Sequence, residues 1–135
     1  MVENGIDFYD DNNRAILKTM VDNNKLSMLG YANLEGKTIS YDGRSLGNIS
    51  NRKYFRETIT GEKEVTCQYL QNTISESGPR IIFSAPAYEN GKITGIVFFS
   101  KKMEVLRDNL FHQSMFRNKD SSFLVDSSGN IIVKN

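Results

Sequence analysis

Between residues 6 and 24 the apolar side chains Tyr9, Ile16, Leu17, Met20 and Val21 recur at helical spacing among polar neighbours. That period predicts an amphipathic helix with one sticky stripe and one solvated face. The pattern then changes. Residues 26–31 and 37–41 read as two strands joined by Asn33, Leu34, Glu35 and Gly36, a first hairpin. A loop over 42–50, with Gly43 and Gly47, leads into a short helix on which Phe55 and Ile59 share a face. Ser50 or Asn48 is the expected cap of its free amides, and Gly61 is suited to stop it in the left-handed conformation.

Residues 65–70 and 80–88 read as the third and fourth strands, separated by a polar loop that includes Ser77, Gly78 and Pro79. Asn90 and Gly91 form a type I′ turn signal between 83–88 and 93–99, the strongest local signal in the chain. Pro86 brings no amide donor, so it belongs at a bulge, a strand end or an exposed edge. From 101 to about 117, Met103, Leu106, Leu110 and Phe111 make another helical stripe, a connector helix. Residues 122–126 and 130–133 flank Ser127, Ser128 and Gly129 as a last hairpin.

Composition narrows the classes. A chain of 135 residues suits one domain of ordinary size, and its 39% hydrophobic and 10% aromatic content exceeds that of disordered chains. A net charge of +1 gives no electrostatic case for nucleic acid or an acidic membrane surface. The single cysteine, Cys67, excludes an internal disulfide and reads as a core thiol. No apolar run approaches the roughly 20 residues of a membrane span, and the first residues lack the features of a signal peptide.

Catalytic chemistry finds little support. His112 is the only histidine, so a histidine-rich metal site or a histidine-assisted nucleophile would hang on one residue of the connector helix. Asp7, Asp10 and Asp11 lack the spacing of a calcium loop and read as a charged helix start. No phosphate loop, dinucleotide fingerprint or nucleophile elbow is present, and no cofactor or metal is expected. Asn48, Ile49 and Ser50 match a glycosylation triplet that is common by chance. The run from Ser50 to Gly61 is more informative. It sets Arg52 two residues before adjacent aromatics, Tyr54 and Phe55, which offers recognition groups for an anion and no nucleophile paired with a base.

A helix on a five-stranded antiparallel sheet, with loops and a short helix between strands two and three, is the α+β architecture of the PAS-like superfold. The segments YANLEGKTISYDGRSLGNISNRKYFRETITGEKEV, RIIFSAPAYENGKITGIVFFSKKMEVL and SSFLVDSSGNII, in that order, resemble the successive signatures of extracellular double Cache sensor domains. The resemblance divides the chain into an N-terminal stalk helix over 1–25, a Cache sensor domain over 26–103, and a connector helix and hairpin over 104–135 that begin a second module. It implies the extracellular or periplasmic portion of a membrane-anchored receptor. Its output domain would be a diguanylate cyclase by preference, with a histidine kinase or chemotaxis transducer as the alternatives.

The same resemblance implies a small-molecule ligand, a carboxylate among the candidates, and a homodimer formed through the N-terminal helix. Arg52 is the leading anion partner, since its planar fork makes two aligned charge-assisted bonds; the bland alternative is a salt bridge to a loop carboxylate. Tyr54, Tyr69, Ser84 and Tyr88 complete the expected ligand-binding set. Strand alternation groups Tyr69 with Cys67 and Gln71, and Gln68 with Thr66 and Leu70, so only one of these sets faces the pocket. The amino-acid-binding branch of the family places an aspartate two positions after a tyrosine, whereas here Tyr69 is followed by Leu70 and Gln71. A further carboxylate near the fifth strand has no match in Phe98, Phe99 or Ser100. These departures argue against an amino-acid ligand and leave a simple carboxylate, another small polar metabolite or an empty pocket. The rival readings are a cytoplasmic PAS-type interaction or dimerisation module and, more remotely, an uncharacterised hydrolase.

Overall fold

Asp10 opens the first helical stretch by accepting the Asn12 amide at 3.0 Å, as the acidic helix start leads one to expect. A short 3-10 turn over Asp11–Asn13 passes into helix α1, Arg14–Asn24. In the computed structural model the described residues are 7–72 and 77–105, with the backbone alone for Ser77, 123–125 and 131–134. Of the expected apolar stripe only Leu17 and Val21 are buried, while Tyr9, Ile16 and Met20 are exposed. The helix meets the sheet along the narrow line of one (i, i+4) pair, and the residues one position earlier turn away from it.

Strands β1 (Met28–Asn33) and β2 (Thr38–Ser40) form the first hairpin, and helix α2 (Lys53–Thr58) follows the long loop. Strands β3 (Thr66–Asn72), β4 (Ser77–Glu89) and β5 (Lys92–Lys102) complete a sheet of order β2-β1-β5-β4-β3. Every pairing is antiparallel, so this is the five-stranded α+β sheet that the pattern predicts. Asn90 and Gly91 both carry positive φ, 53° and 79°, as a type I′ turn demands.

Pro86 sits where its missing amide is harmless. The β3 pairing ends at Thr66 opposite Ser84, so Pro86 lies on a stretch of β4 that pairs only with β5, next to a bulge between Ala87 and Tyr88. The backbone is helical over 103–105, where the connector helix is expected; the rest of that helix, His112 and the turn at 127–129 lie outside the described residues. The final hairpin pairs β6 (Phe123–Val125) with β7 (Ile131–Lys134).

The pairing register sorts the central side chains into two faces. On one face Phe8, Leu17, Val21 and Leu29 form a core beneath α1, flanked by Tyr31, Ile39, Val97 and Phe99. On the other, Met28, Ala32, Ile82, Ile96 and Phe98 pack with Ile49, Tyr54 and Phe55 from the loop and α2. Tyr31 ties the α1 side together: its ring stacks on Phe8 at 6.1 Å, meets Tyr9 edge-on at 6.0 Å, and its phenol donates to the Thr94 carbonyl at 3.0 Å.

That arrangement requires the absence of a side chain at Gly95, where a Cβ would collide with the Ala32 carbonyl oxygen and stand 2.7 Å from the Tyr31 phenol oxygen. Because one of those neighbours is backbone within the β1–β5 pair, the clash cannot be relieved by a rotamer change alone. Gly95→Ala is therefore expected to lower the unfolding free energy by about 1–3 kcal/mol, read as a reduced urea midpoint at unchanged m-value.

Candidate functional site

The residues that open α2 are aimed by a loop braced against the first hairpin. The Thr38 hydroxyl donates to the Gly47 carbonyl at 2.6 Å and accepts the Leu46 amide at 2.8 Å. Asn48 donates its side-chain amide to the Glu35 carbonyl, while its oxygen accepts both the Ser50 amide and the Ser50 hydroxyl. Both residues expected as caps of α2 are thus spent on the loop. The N-cap is Arg52 instead, in extended conformation with no side-chain cap bond. Gly61 takes the left-handed conformation expected of it, at φ 75°.

This arrangement leaves Arg52 half-buried at the start of α2, and among the described residues its guanidinium has no salt bridge or hydrogen bond. Two residues on, Tyr54 is 1% exposed, its ring 6.2 Å from that of Phe98, and its hydroxyl has no hydrogen-bond partner. Burial pushes the Tyr54 phenol up to about 12, with the positive Arg52 opposing the shift, so it is a neutral hydroxyl at physiological pH. The buried side-chain oxygen of Gln68 also lacks a partner. Gln68 pairs with Ile82 and Thr66 with Ser84, which places Gln68, Thr66 and Leu70 on the α2 face of the sheet. A cationic fork, a phenol and an amide oxygen are therefore left unmatched along the α2 side of the fold, against the rule that buried polar groups are paired.

Beneath α2 the polar groups are matched. The hydroxyls of Thr58, Thr66 and Ser84 form a closed triangle with edges of 2.9, 2.7 and 2.5 Å, all three residues buried. Each hydroxyl has one proton to give and lone pairs to receive, so a ring of three satisfies itself without water. The triangle ties the last turn of α2 to β3 and β4.

Of the five residues expected to bind a ligand, the structure brings Arg52, Tyr54 and Ser84 to the α2 face, with Ser84 engaged in the triangle. Tyr88 reaches the same side from β4: its phenol oxygen would stand 3.4 Å from a Cβ built on Gly61. Tyr69 does not join them. It pairs with Ile81 on the opposite face and accepts a bond from the Gln71 amide at 2.6 Å. Cys67 shares that parity and is exposed on an edge strand rather than a core thiol, because α1 does not extend over β3. Gln68 is the polar β3 residue that shares the α2 face with Thr66, and strand alternation was the signal that paired the two.

Charge in the interior is one-sided. Among the described residues every aspartate and glutamate is exposed. The buried polar residues are the hydroxyls of Thr38, Ser40, Thr58, Thr66, Ser84 and Ser100, together with Arg80. Arg80 donates to the Gly78 carbonyl at 3.1 Å and to the Ser27 hydroxyl at 3.3 Å. On the α1 side, a groove of about 500 Å³ runs between Met20, Leu26, Val65, Phe83 and Phe99, with Lys101 on its wall. Its walls are almost wholly apolar, whereas recognition of a polar metabolite needs convergent polar groups.

No family model matches the chain, and no curated protein sequence does. Solved structures do. The sensory domain of the Campylobacter jejuni chemoreceptor Tlp3 (CcmL) with isoleucine bound has a TM-score of 0.70 at 17% identity, covering 92% of this chain and 50% of that one. The ligand-binding domain of the Pseudomonas fluorescens chemoreceptor CtaA in complex with L-serine has a TM-score of 0.68 at 14% identity, with 89% and 52% covered. That of the Pseudomonas aeruginosa PAO1 amino acid chemoreceptor PctC in complex with GABA has a TM-score of 0.68 at 14% identity, with 92% and 56% covered. The chain thus shares the fold of these ligand-binding domains and spans about half their length.

The hydroxyl triangle should count in stability. Thr58→Val keeps the shape of the side chain but removes the hydroxyl bonded to both others, and is expected to cost about 1–3 kcal/mol in denaturant unfolding. Thr58→Ser, which retains the hydroxyl, should recover most of that loss.

Proposed function

We propose that this chain is the ligand-sensing part of a membrane-anchored receptor, and that it binds a small anionic metabolite between α2 and the adjoining sheet face. The observation that carries the reading is the set of unmatched groups at Arg52, Tyr54 and Gln68. A buried hydroxyl and a buried amide oxygen without partners are costly in an empty protein and are supplied with partners by a ligand. A half-buried arginine with no carboxylate partner among the described residues is the natural fork for an anion. Tyr88 borders the site at the end of α2, and Ser84 shapes its floor from within the triangle. Tyr69, on the far face, is not part of it.

The shared fold with chemoreceptor ligand-binding domains supports this assignment. In this reading, residues 26–103 are the sensor module, 1–25 the stalk helix, and the segment from 104 begins a second module, consistent with a chain that spans half of those domains. No helix among the described residues is long and apolar enough to cross a membrane, so the anchor is assigned to the rest of the receptor. An extracellular or periplasmic location follows from the same reading. The diguanylate cyclase output expected from the final hairpin has no counterpart among these neighbours, and their kind favours a chemotaxis transducer. A second reading, a PAS-type dimerisation module, draws on the exposed Ile16 and Met20 of α1. It requires no ligand, and binding measurements separate the two.

A thermal-shift screen of small carboxylates, phosphates, sugars and nucleobases is expected to raise the melting temperature with anions alone. Calorimetry on the best anion should show Arg52→Ala weakening binding by about 2–5 kcal/mol, at least about 30-fold. Since Arg52 holds no other charged partner among the described residues, the unliganded variant should melt as the parent does. Equal affinity in the variant would remove Arg52 from the site.

A further inference from the structure

We propose that Gln68 makes the site selective for hydroxycarboxylates over the amino acids of the same carbon skeleton. The inference rests on the anion-binding reading above and names its ligand class. Arg52 takes the carboxylate. The sheet face under α2 presents Gln68 on β3, whose buried oxygen has no partner among the described residues and would accept a neutral O–H. Turned either way, the amide of Gln68 offers a dipole and never a negative charge.

An amino acid would bring an ammonium into the same space. There it meets the Arg52 guanidinium, two threonine hydroxyls already bonded to Ser84 and, among the described residues, no buried carboxylate, since every described aspartate and glutamate lies on the surface. Removing an ammonium from water without an anionic partner is disfavoured far more than burying a hydroxyl that finds an acceptor. The discrimination is therefore one of charge rather than size. It separates this chain from the neighbours solved with isoleucine, L-serine and GABA, whose ligands all carry an amine.

Calorimetric titration of the full chain with matched pairs tests this: L-lactate against L-alanine, L-glycerate against L-serine, and L-leucic acid against L-leucine. Whichever pair fits the pocket should show the hydroxy acid bound at least about tenfold more tightly. Gln68→Glu, which replaces the amide by a carboxylate of the same shape, should shift that ratio at least about tenfold toward the amino acid. An amino acid that binds the parent chain as tightly as its hydroxy partner overturns the selectivity while leaving the anion site standing. So does a ratio unmoved in a Gln68→Glu variant that melts cooperatively. If no member of the panel binds, but another anion does and Arg52→Ala abolishes it, the ligand class is wrong and the site is right. If no anion binds at all, the anion-binding reading falls and the selectivity with it.

Discussion

Everything about the proposed site depends on the register of β3 against β4. Successive side chains on a strand face opposite ways, so pairing Thr66 with Ser84 and Gln68 with Ile82 commits the odd and even residues of β3 to different sides of the sheet. A slip of one residue would carry Tyr69 and Cys67 under α2 and put Thr66 and Gln68 on the other face. Two interactions oppose that slip. The Thr58–Thr66–Ser84 triangle closes only with Thr66 on the α2 side, and the apolar core under α2 takes up Leu70 at its margin. β3 is an edge strand with polar ends, the kind whose register is weakly specified by its own pattern, so these side-chain contacts matter more here than in β1 or β5.

The triangle also explains how a helix of six residues persists. Such a segment is far below the length at which a helix is stable in water, and its N-cap makes no side-chain bond, so its order must come from tertiary contacts. Tyr54 and Phe55 sink into the core at one end, Thr58 is bonded beneath the other, and the braced loop over 42–50 fixes the entry. Arg52 stands at the junction of loop and helix, where the backbone is held but the guanidinium is not. That combination places the charge while leaving it available.

Much of the architecture was legible because it rests on local chemistry. Asn90 and Gly91 take the only turn their conformational freedom favours, the helical and alternating periods separate α1 from the strands, and Pro86 lands where the sheet has a free edge. The errors came where a tertiary boundary decides. Cys67 reads as a core thiol because small thiols are commonly buried, yet α1 stops short of β3 and leaves it in solvent. Ile16 and Met20 belong to the same helical period as Leu17 and Val21, and only the width of the contact with the sheet tells the pairs apart. Asn48 and Ser50 have the chemistry of caps, but Asn48 is bonded to the β1–β2 turn and Ser50 to Asn48 instead. In the site, alternation showed that Tyr69 and Gln68 exclude one another without saying which faces inward. That choice lies in the pairing partner, which a single strand does not contain.

In the proposed reading, the unmatched groups would bear on signalling as well as on recognition. A buried donor or acceptor without a partner costs about 1–3 kcal/mol, so the described arrangement around Tyr54 and Gln68 is one the protein holds against a local penalty. A ligand that bonds to both removes that penalty in this arrangement and in no other where the groups are solvated. It therefore binds one conformation of α2 and its loop better than the alternatives, and differential affinity of that kind is the only means by which a ligand shifts a conformational equilibrium. The loop before α2 is bonded to the β1–β2 turn, and β1 pairs with β5, whose end passes into the helical turn at 103–105. A change in α2 thus has a continuous hydrogen-bonded route to the segment that follows β5.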